Sequence, residues 1–132
     1  MSQENVEIVR RWLEAFEEDE GAWLQTLDPD IEWYPLEEGH IPSHGIDGAR
    51  GIRKRWLETW ESHSGEVEGI RSEDENVVAT VHLRGRGKGS GVDVDLRFYF
   101  HFKLRRGRIV YLFEYADRAT AIEAAGLTDG GQ

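Results

Sequence analysis

Cysteine is absent from the 132-residue chain, which excludes disulfides, thiolate chemistry and cysteine-ligated metals and leaves nothing that demands an oxidising compartment. Positive charge is scarce. Sixteen Lys and Arg stand against 26 Asp and Glu, a net charge of −10, which argues against nucleic acid or an anionic membrane as the main partner. Long apolar runs are missing too, so no segment reads as a membrane span. The opening M-S-Q-E-N-V-E has neither a basic region nor an apolar stretch, and a cytoplasmic location is expected. No repeat, low-complexity tract or Pro/Gly linker divides the chain. One domain over 1–127 is expected, with 128–132 (T-D-G-G-Q) as a disordered tail.

What the chain does have is a long alternating stretch. Val92, Val94, Leu96, Phe98, Phe100, Phe102 and Leu104 are apolar, and Asp93, Asp95, Arg97, Tyr99, His101 and Lys103 lie between them. That is the period of a half-buried strand, and at roughly 40 Å it must bend to stay on a small domain. The other elements supply its cover. Val6, Val9, Trp12, Leu13 and Phe16 repeat at helical spacing, predicting a helix over 4–18 with Ser2 or Asn5 as N-cap. Gly21 breaks it, and a short helix over 22–27 stops at Asp28-Pro29. A strand follows at 31–35, then a loop over 37–48. Ile52, Trp56, Leu57 and Trp60 mark a third helix from about Ala49 to Ser62. Strands are predicted at 66–72, 76–86 and 109–116. The glycines 85, 87, 89 and 91 make a hairpin rather than a phosphate loop, because a strand and not a helix follows them. Asp117 caps a last helix over 118–125, closed by Gly126.

Helices first and a strand meander after them give an α+β domain. The chain resembles the SnoaL-like proteins of the nuclear transport factor 2-like (cystatin-like α+β barrel) superfamily. The segments that carry the likeness are N-V-E-I-V-R-R-W-L-E-A-F, L-D-P-D-I-E-W, G-A-R-G-I, L-R-R-G-R-I-V and E-Y-A-D-R-A-T-A-I-E-A-A-G-L. The resemblance implies a curved antiparallel sheet wrapped around helices to form a cone-shaped pocket. The superfamily holds ketosteroid isomerase, scytalone dehydratase, limonene epoxide hydrolase and polyketide cyclases, so fold does not assign chemistry. At the positions of the ketosteroid isomerase catalytic groups this chain has Tyr34, Trp12 and Phe100, and none fits. The inward face of the long strand is apolar, without the arginine and acids of limonene epoxide hydrolase. SnoaL-type cyclases use an acid near the end of the last strand, where Glu114 and Asp117 are the candidates.

On that strand Val110, Leu112, Glu114 and Ala116 share one face, taken as the inner one, and Ile109, Tyr111, Phe113 and Tyr115 the other. A carboxylate beside Trp12, Trp56 and Phe100 is poorly solvated, which raises its pKa and suits general acid or base work. Asp117 is read first as a helix cap and second as a catalytic acid. The expected ligand pocket comprises Trp12, Phe16, Tyr34, His44, Trp56, Trp60, Phe98 and Phe100. His40 and His44 have ligand-like spacing, but Pro42 breaks any helix between them. They are read as lining the pocket mouth, and no metal or other cofactor is expected. His63, His82 and His101 read as surface residues. Three functions are compatible with these residues: a binding protein for a small hydrophobic ligand, an enzyme acting on a hydrophobic or polyketide-like substrate through Glu114, and a dimeric assembly domain. The second apolar row predicts a homodimer through the outer sheet face (Tyr99, Tyr111, Phe113, Tyr115), with Arg97 and His101 at its rim, unless the last helix folds back over it.

Overall fold

The long alternating segment forms a 13-residue strand, and the rest of the molecule is arranged on its two faces. The computed structural model describes residues 2–36 and 39–127. In chain order the elements are α1 (Ser2–Glu18), α2 (Glu20–Leu24), β1 (Leu27–Tyr34), β2 (Ser43–His44), α3 (Gly45–Thr59), β3 (Trp60–Glu73), β4 (Asn76–Gly87), β5 (Asp93–Arg105), β6 (Arg108–Tyr115) and α4 (Arg118–Ala125). This is an α+β fold with a curved six-stranded sheet of order β2-β1-β6-β5-β4-β3. The pairs are antiparallel except β1 with β6, which runs parallel. The tail expected at 128–132 lies outside the described residues.

Several boundaries differ from the sequence reading, each for a local reason. Asn5 is not a cap: it lies inside α1, and its side-chain amide donates to the Asp74 carbonyl at 3.1 Å. The break after α1 falls at Asp19, whose carboxylate accepts from Ala22 N and caps α2, while Gly21 sits within that helix. Asp28-Pro29 is part of β1 instead of a stop. Proline is tolerated there because the β1–β6 register shifts between Leu27 and Glu32 and the ladder does not need its missing donor. α3 begins four residues early, at Gly45, and β3 six residues early, at Trp60.

One irregularity decides which way β6 faces. Lys103 pairs with Tyr111 but Leu104 pairs with Ile109, so Val110 is an extra residue. This bulge turns Ile109 inward with Leu112, both essentially inaccessible, where strict alternation had placed Ile109 outside. The inner face of β4 and β5 (Val77, Ala79, Phe102, Leu104) packs with Ile8, Val9, Trp12, Trp23, Ile31, Trp33 and Ile52 in the main core.

The outer face has its own small core. Asp117 accepts from both Thr120 N and Thr120 Oγ1 and starts α4, and Gly126 closes it in the left-handed conformation. Ala121, Ile122, Ala125 and Leu127 then pack on Val78, Tyr99 and Tyr115. Tyr99 and Tyr115, expected on an open surface, are therefore partly covered by α4. Two histidines expected at the surface are buried on this same face, His82 and His101.

Candidate functional site

Helix α1 crosses the concave face of the sheet, and between them remains a cavity of about 130 Å³. Its walls come from Trp12, Leu13, Phe16 and Glu17 of α1, Trp33 of β1, Trp56 of α3, His63, Gly65 and Val67 of β3, Val81 and Leu83 of β4, Phe98 and Phe100 of β5, and Glu114 of β6. The aromatic rings meet mostly edge to face. Trp12 lies 5.7 Å from Trp33 and 6.0 Å from Phe100, and Phe16 lies 5.7 Å from Trp56. Such contacts fix the rings and leave a preformed space.

Polar groups in this wall are few. Glu114 is buried, and its two carboxylate oxygens accept from Trp33 Nε1 at 2.6 Å and from the Leu36 backbone N–H at 3.2 Å. At the end of α1, the Glu17 carboxylate lies 3.0 Å from His63 Nε2, whose side chain is only 12% exposed. The Trp12 indole N–H is buried and has no hydrogen-bond partner.

The cavity thus brings together Trp12, Phe16, Trp56, Phe98, Phe100 and Glu114. Four other predicted site residues stand elsewhere. Tyr34 is on the outer face, stacked on Phe113 at 5.1 Å. Ile31 and Trp33 share the inward side of β1, so the next residue must point out. His44 is exposed on β2, its Nδ1 3.9 Å from Glu32. Trp60 packs on Trp56 at 5.5 Å and lies over Gly85, where an added Cβ would come within 2.8 Å of the indole; it fills a notch in β4 outside the cavity. Asp117 is an exposed cap whose bonds from Thr120 hold its carboxyl below the usual range. Conversely, Trp33 and Glu17 line the cavity without having been singled out, and His63, read as a surface residue, lines it as well with its side chain largely buried. The period-2 pattern was enough to find Trp33, but no local signal reveals the meeting of Glu17 with His63.

His40 also departs from its expected place. Its ring stacks on Phe113 at 4.3 Å on the outer side, and its Nε2 lies 2.7 Å from the Glu114 carbonyl oxygen, bracing the strand that carries the carboxylate. Elsewhere on the outer face, Glu66, Glu68 and His82 lie close enough to share a cation. Arg97, however, forks onto Glu68 at 2.6 and 3.1 Å and holds its carboxyl low, and His82 reaches Asp95 at 2.6 Å with the same effect on that acid. An ion-pair network accounts for this cluster. Burial pushes the Tyr111 hydroxyl up to about 12. Among the described residues, no helix is long and apolar enough to cross a membrane.

A family model described as SnoaL-like domain matches residues 9–112. Among curated proteins there is no match. Solved structures do match over nearly the whole chain. A protein from Jannaschia sp. CCS1 named for SnoaL-like polyketide cyclases is 21% identical, with 97% of this chain and 95% of that one covered and a TM-score of 0.78. An NTF2-like protein of unknown function from Burkholderia pseudomallei K96243 is 24% identical, with coverages of 95% and 98% and a TM-score of 0.77. TerC, co-crystallised with polyporic acid, is 17% identical, with coverages of 92% and 97% and a TM-score of 0.74. At these identities the likeness carries the fold and not the chemistry.

Proposed function

Because the chain belongs to the SnoaL-like domain family, we propose that it binds a small hydrophobic molecule in the aromatic cavity, with Glu114 as the polar anchor. The observation that carries this reading is a buried carboxylate, gripped by Trp33 Nε1 and Leu36 N, in a wall that apart from Glu17 and His63 is built of aromatic and aliphatic residues and one glycine. An apolar concavity with a few fixed polar groups is the usual form of a small-molecule site. The volume of about 130 Å³ is near that of an apolar cavity that holds benzene, roughly 150 Å³, which favours a ligand with a ring-sized apolar body.

Glu114 also supports a catalytic version of the same reading. A carboxylate fixed at the wall of a largely apolar cavity is placed to move a proton to or from a hydrophobic or polyketide-like substrate. Glu114→Gln separates the two: it keeps the side-chain shape and removes the base. For a binding protein, affinity for hydroxylated ring compounds is expected to fall about tenfold by calorimetry, the value of a hydrogen bond to a charged group. For an enzyme, turnover is expected to fall by orders of magnitude while binding persists. Unchanged affinity and unchanged turnover together would remove Glu114 from the site.

Self-association through the outer face is the second proposal. Tyr34, Phe113, Tyr115 and His40 form a row of stacked rings, with Phe113 4.6 Å from Tyr115, and α4 covers only the Tyr99 and Tyr115 side. A two-fold pairing would bury the remainder. Light scattering is expected to give a dimer at micromolar concentration and a folded monomer for Phe113→Glu. A monomeric wild type ends the proposal.

A further inference from the structure

The apolar floor of the cavity runs on past its walls. On the inner face of the sheet, Val67, Val81 and Phe98 lie side by side across β3, β4 and β5, and Gly65, Leu83 and Leu96 form the next row. All of these but Leu96 line the cavity. Leu83 is buried, whereas Leu96 beside it is 38% exposed and Val67, on the cavity wall itself, 40%. The ladder between β5 and β6 ends where Tyr99 meets Tyr115, so among the described residues Phe98 and Leu96 have a paired strand on one side only. An apolar strip therefore leads out of the cavity along β5, from Phe100 through Phe98 to Leu96.

Exposed large apolar side chains are rare in this molecule. Among the described residues they are Ile41, Val67, Val92 and Leu96, and two of the four stand on these inner rows. The charged residues that alternate with the strip are turned to the outer face, where Arg97 forks onto Glu68 and Asp95 holds His82 and Arg84. The strip itself carries no charge. It is also too small for a second copy of the chain, since a stable interface takes about 800 Å² from each partner. What it suits is a molecule already seated in the cavity. From Phe100, which stands opposite Glu114, to Leu96 is a run of about 13 Å at strand spacing, longer than the ring-sized body that a volume of about 130 Å³ holds.

We propose that this strip is the tail-binding part of the ligand site, and that the ligand is an elongated molecule: a ring-sized body in the cavity and a hydrocarbon tail that leaves over Phe98, between Leu96 on the β5 side and Val67 on the β3 side. This assignment rests on the cavity being a ligand site. It adds the length and the chemical class of what extends from it. A tail laid along the strip removes Leu96 and Val67 from water together with its own methylene groups, which neither a ring alone nor a short polar substituent would do.

A chain-length series tests this: 4-ethylphenol, 4-butylphenol and 4-hexylphenol, titrated calorimetrically into the wild type and into Leu96→Gln. A fully buried CH₂ group is worth about fourfold in affinity, and a strip that covers the tail on one side about half of that free energy, or twofold. The wild type is therefore expected to bind the hexyl compound roughly 16-fold more tightly than the ethyl one, and Leu96→Gln to cut that ratio to about threefold or less. Val67→Thr, of the same shape and at home in a strand, is expected to lower the ratio in the same direction with an unchanged thermal melt, which separates loss of the strip from loss of fold. A flat series in the wild type, or a ratio that survives in Leu96→Gln, overturns the assignment and leaves the cavity reading intact, since 4-ethylphenol still binds. Conversion of a wild-type dimer into monomers by Leu96→Gln, read by light scattering, makes the strip a contact between copies and overturns it as well. If none of the three compounds binds, the cavity reading itself fails and this inference falls with it.

Discussion

Trp12→Ala is expected to cost about 3–5 kcal/mol of folding stability, the usual range for removing a large aromatic from a packed core. Trp12 is 3% exposed, and its ring meets those of Phe16, Trp23, Trp33, Phe100 and Phe102 at 5.2 to 6.2 Å. It joins both helices α1 and α2 to the strands β1 and β5, so no neighbour can collapse into the gap without abandoning another contact. The gap would also open onto the existing cavity, which admits solvent to the core. Against a typical domain stability of about 5–15 kcal/mol, the loss is a large share. Urea denaturation is the measurement, read as a fall in midpoint at constant slope. A change below about 1 kcal/mol would mean that Trp12 is a removable lid on the cavity and not a keystone of the core.

The second large effect concerns acid. Burial, helped by the nearby Lys103 charge, pushes the His101 imidazole down from 6.5 to about 4. Its side chain is 1% exposed, Nε2 is bound to Asn76 Oδ1 at 2.8 Å, and Tyr111 lies edge-on at 5.5 Å. The unfolded chain takes up this proton as pH falls through 6.5, but the folded protein does not until about 4. Stability is therefore undiminished by His101 above 6.5, declines across the window from 6.5 to 4, and has lost about 3 kcal/mol at its foot. The carboxyls that their partners hold low, Glu68, Asp95 and Asp117, lose their contribution mostly below this window. His101→Gln keeps a polar group for Asn76 and removes the titration, so its stability should be nearly flat from 6.5 to 4. Parallel pH profiles for the two proteins would show that another group carries the acid sensitivity.

Much of this architecture was legible because its signals are local. The alternation of β5 gave the strand to within one residue at each end, since both of its long sides are paired and one face is core. Asp117 and Gly126 bracket α4 with a cap and a left-handed turn, both short-range devices. β3 was harder. As the outermost strand of its side of the sheet, it carries E-S-H-S-G-E-V-E-G with few apolar residues to alternate, so its start, Trp60 to Ser62, looked like the end of a helix. The Val110 bulge left no trace in composition, because a bulge is a property of register between strands. Tyr34 was misplaced although Ile31 and Trp33 already fixed the phase of β1. The meeting of Glu17 with His63 needed the curl of the sheet, which brings the start of β3 against the end of α1.

The parallel pairing of β1 with β6 sets the order in which the molecule can assemble. Leu27 finds its partner in Ile109 and Trp33 finds Leu112, so the first strand to be synthesised waits for the last. Antiparallel β3, β4 and β5 can zip together as successive hairpins with small loops to close. The β1–β6 seam must instead close a loop spanning most of the chain, and such long-range contacts form late and slowly. Until they do, Trp23, Ile31 and Trp33 remain without their full burial. These apolar side chains of α2 and β1 therefore stay unprotected until synthesis has passed β6.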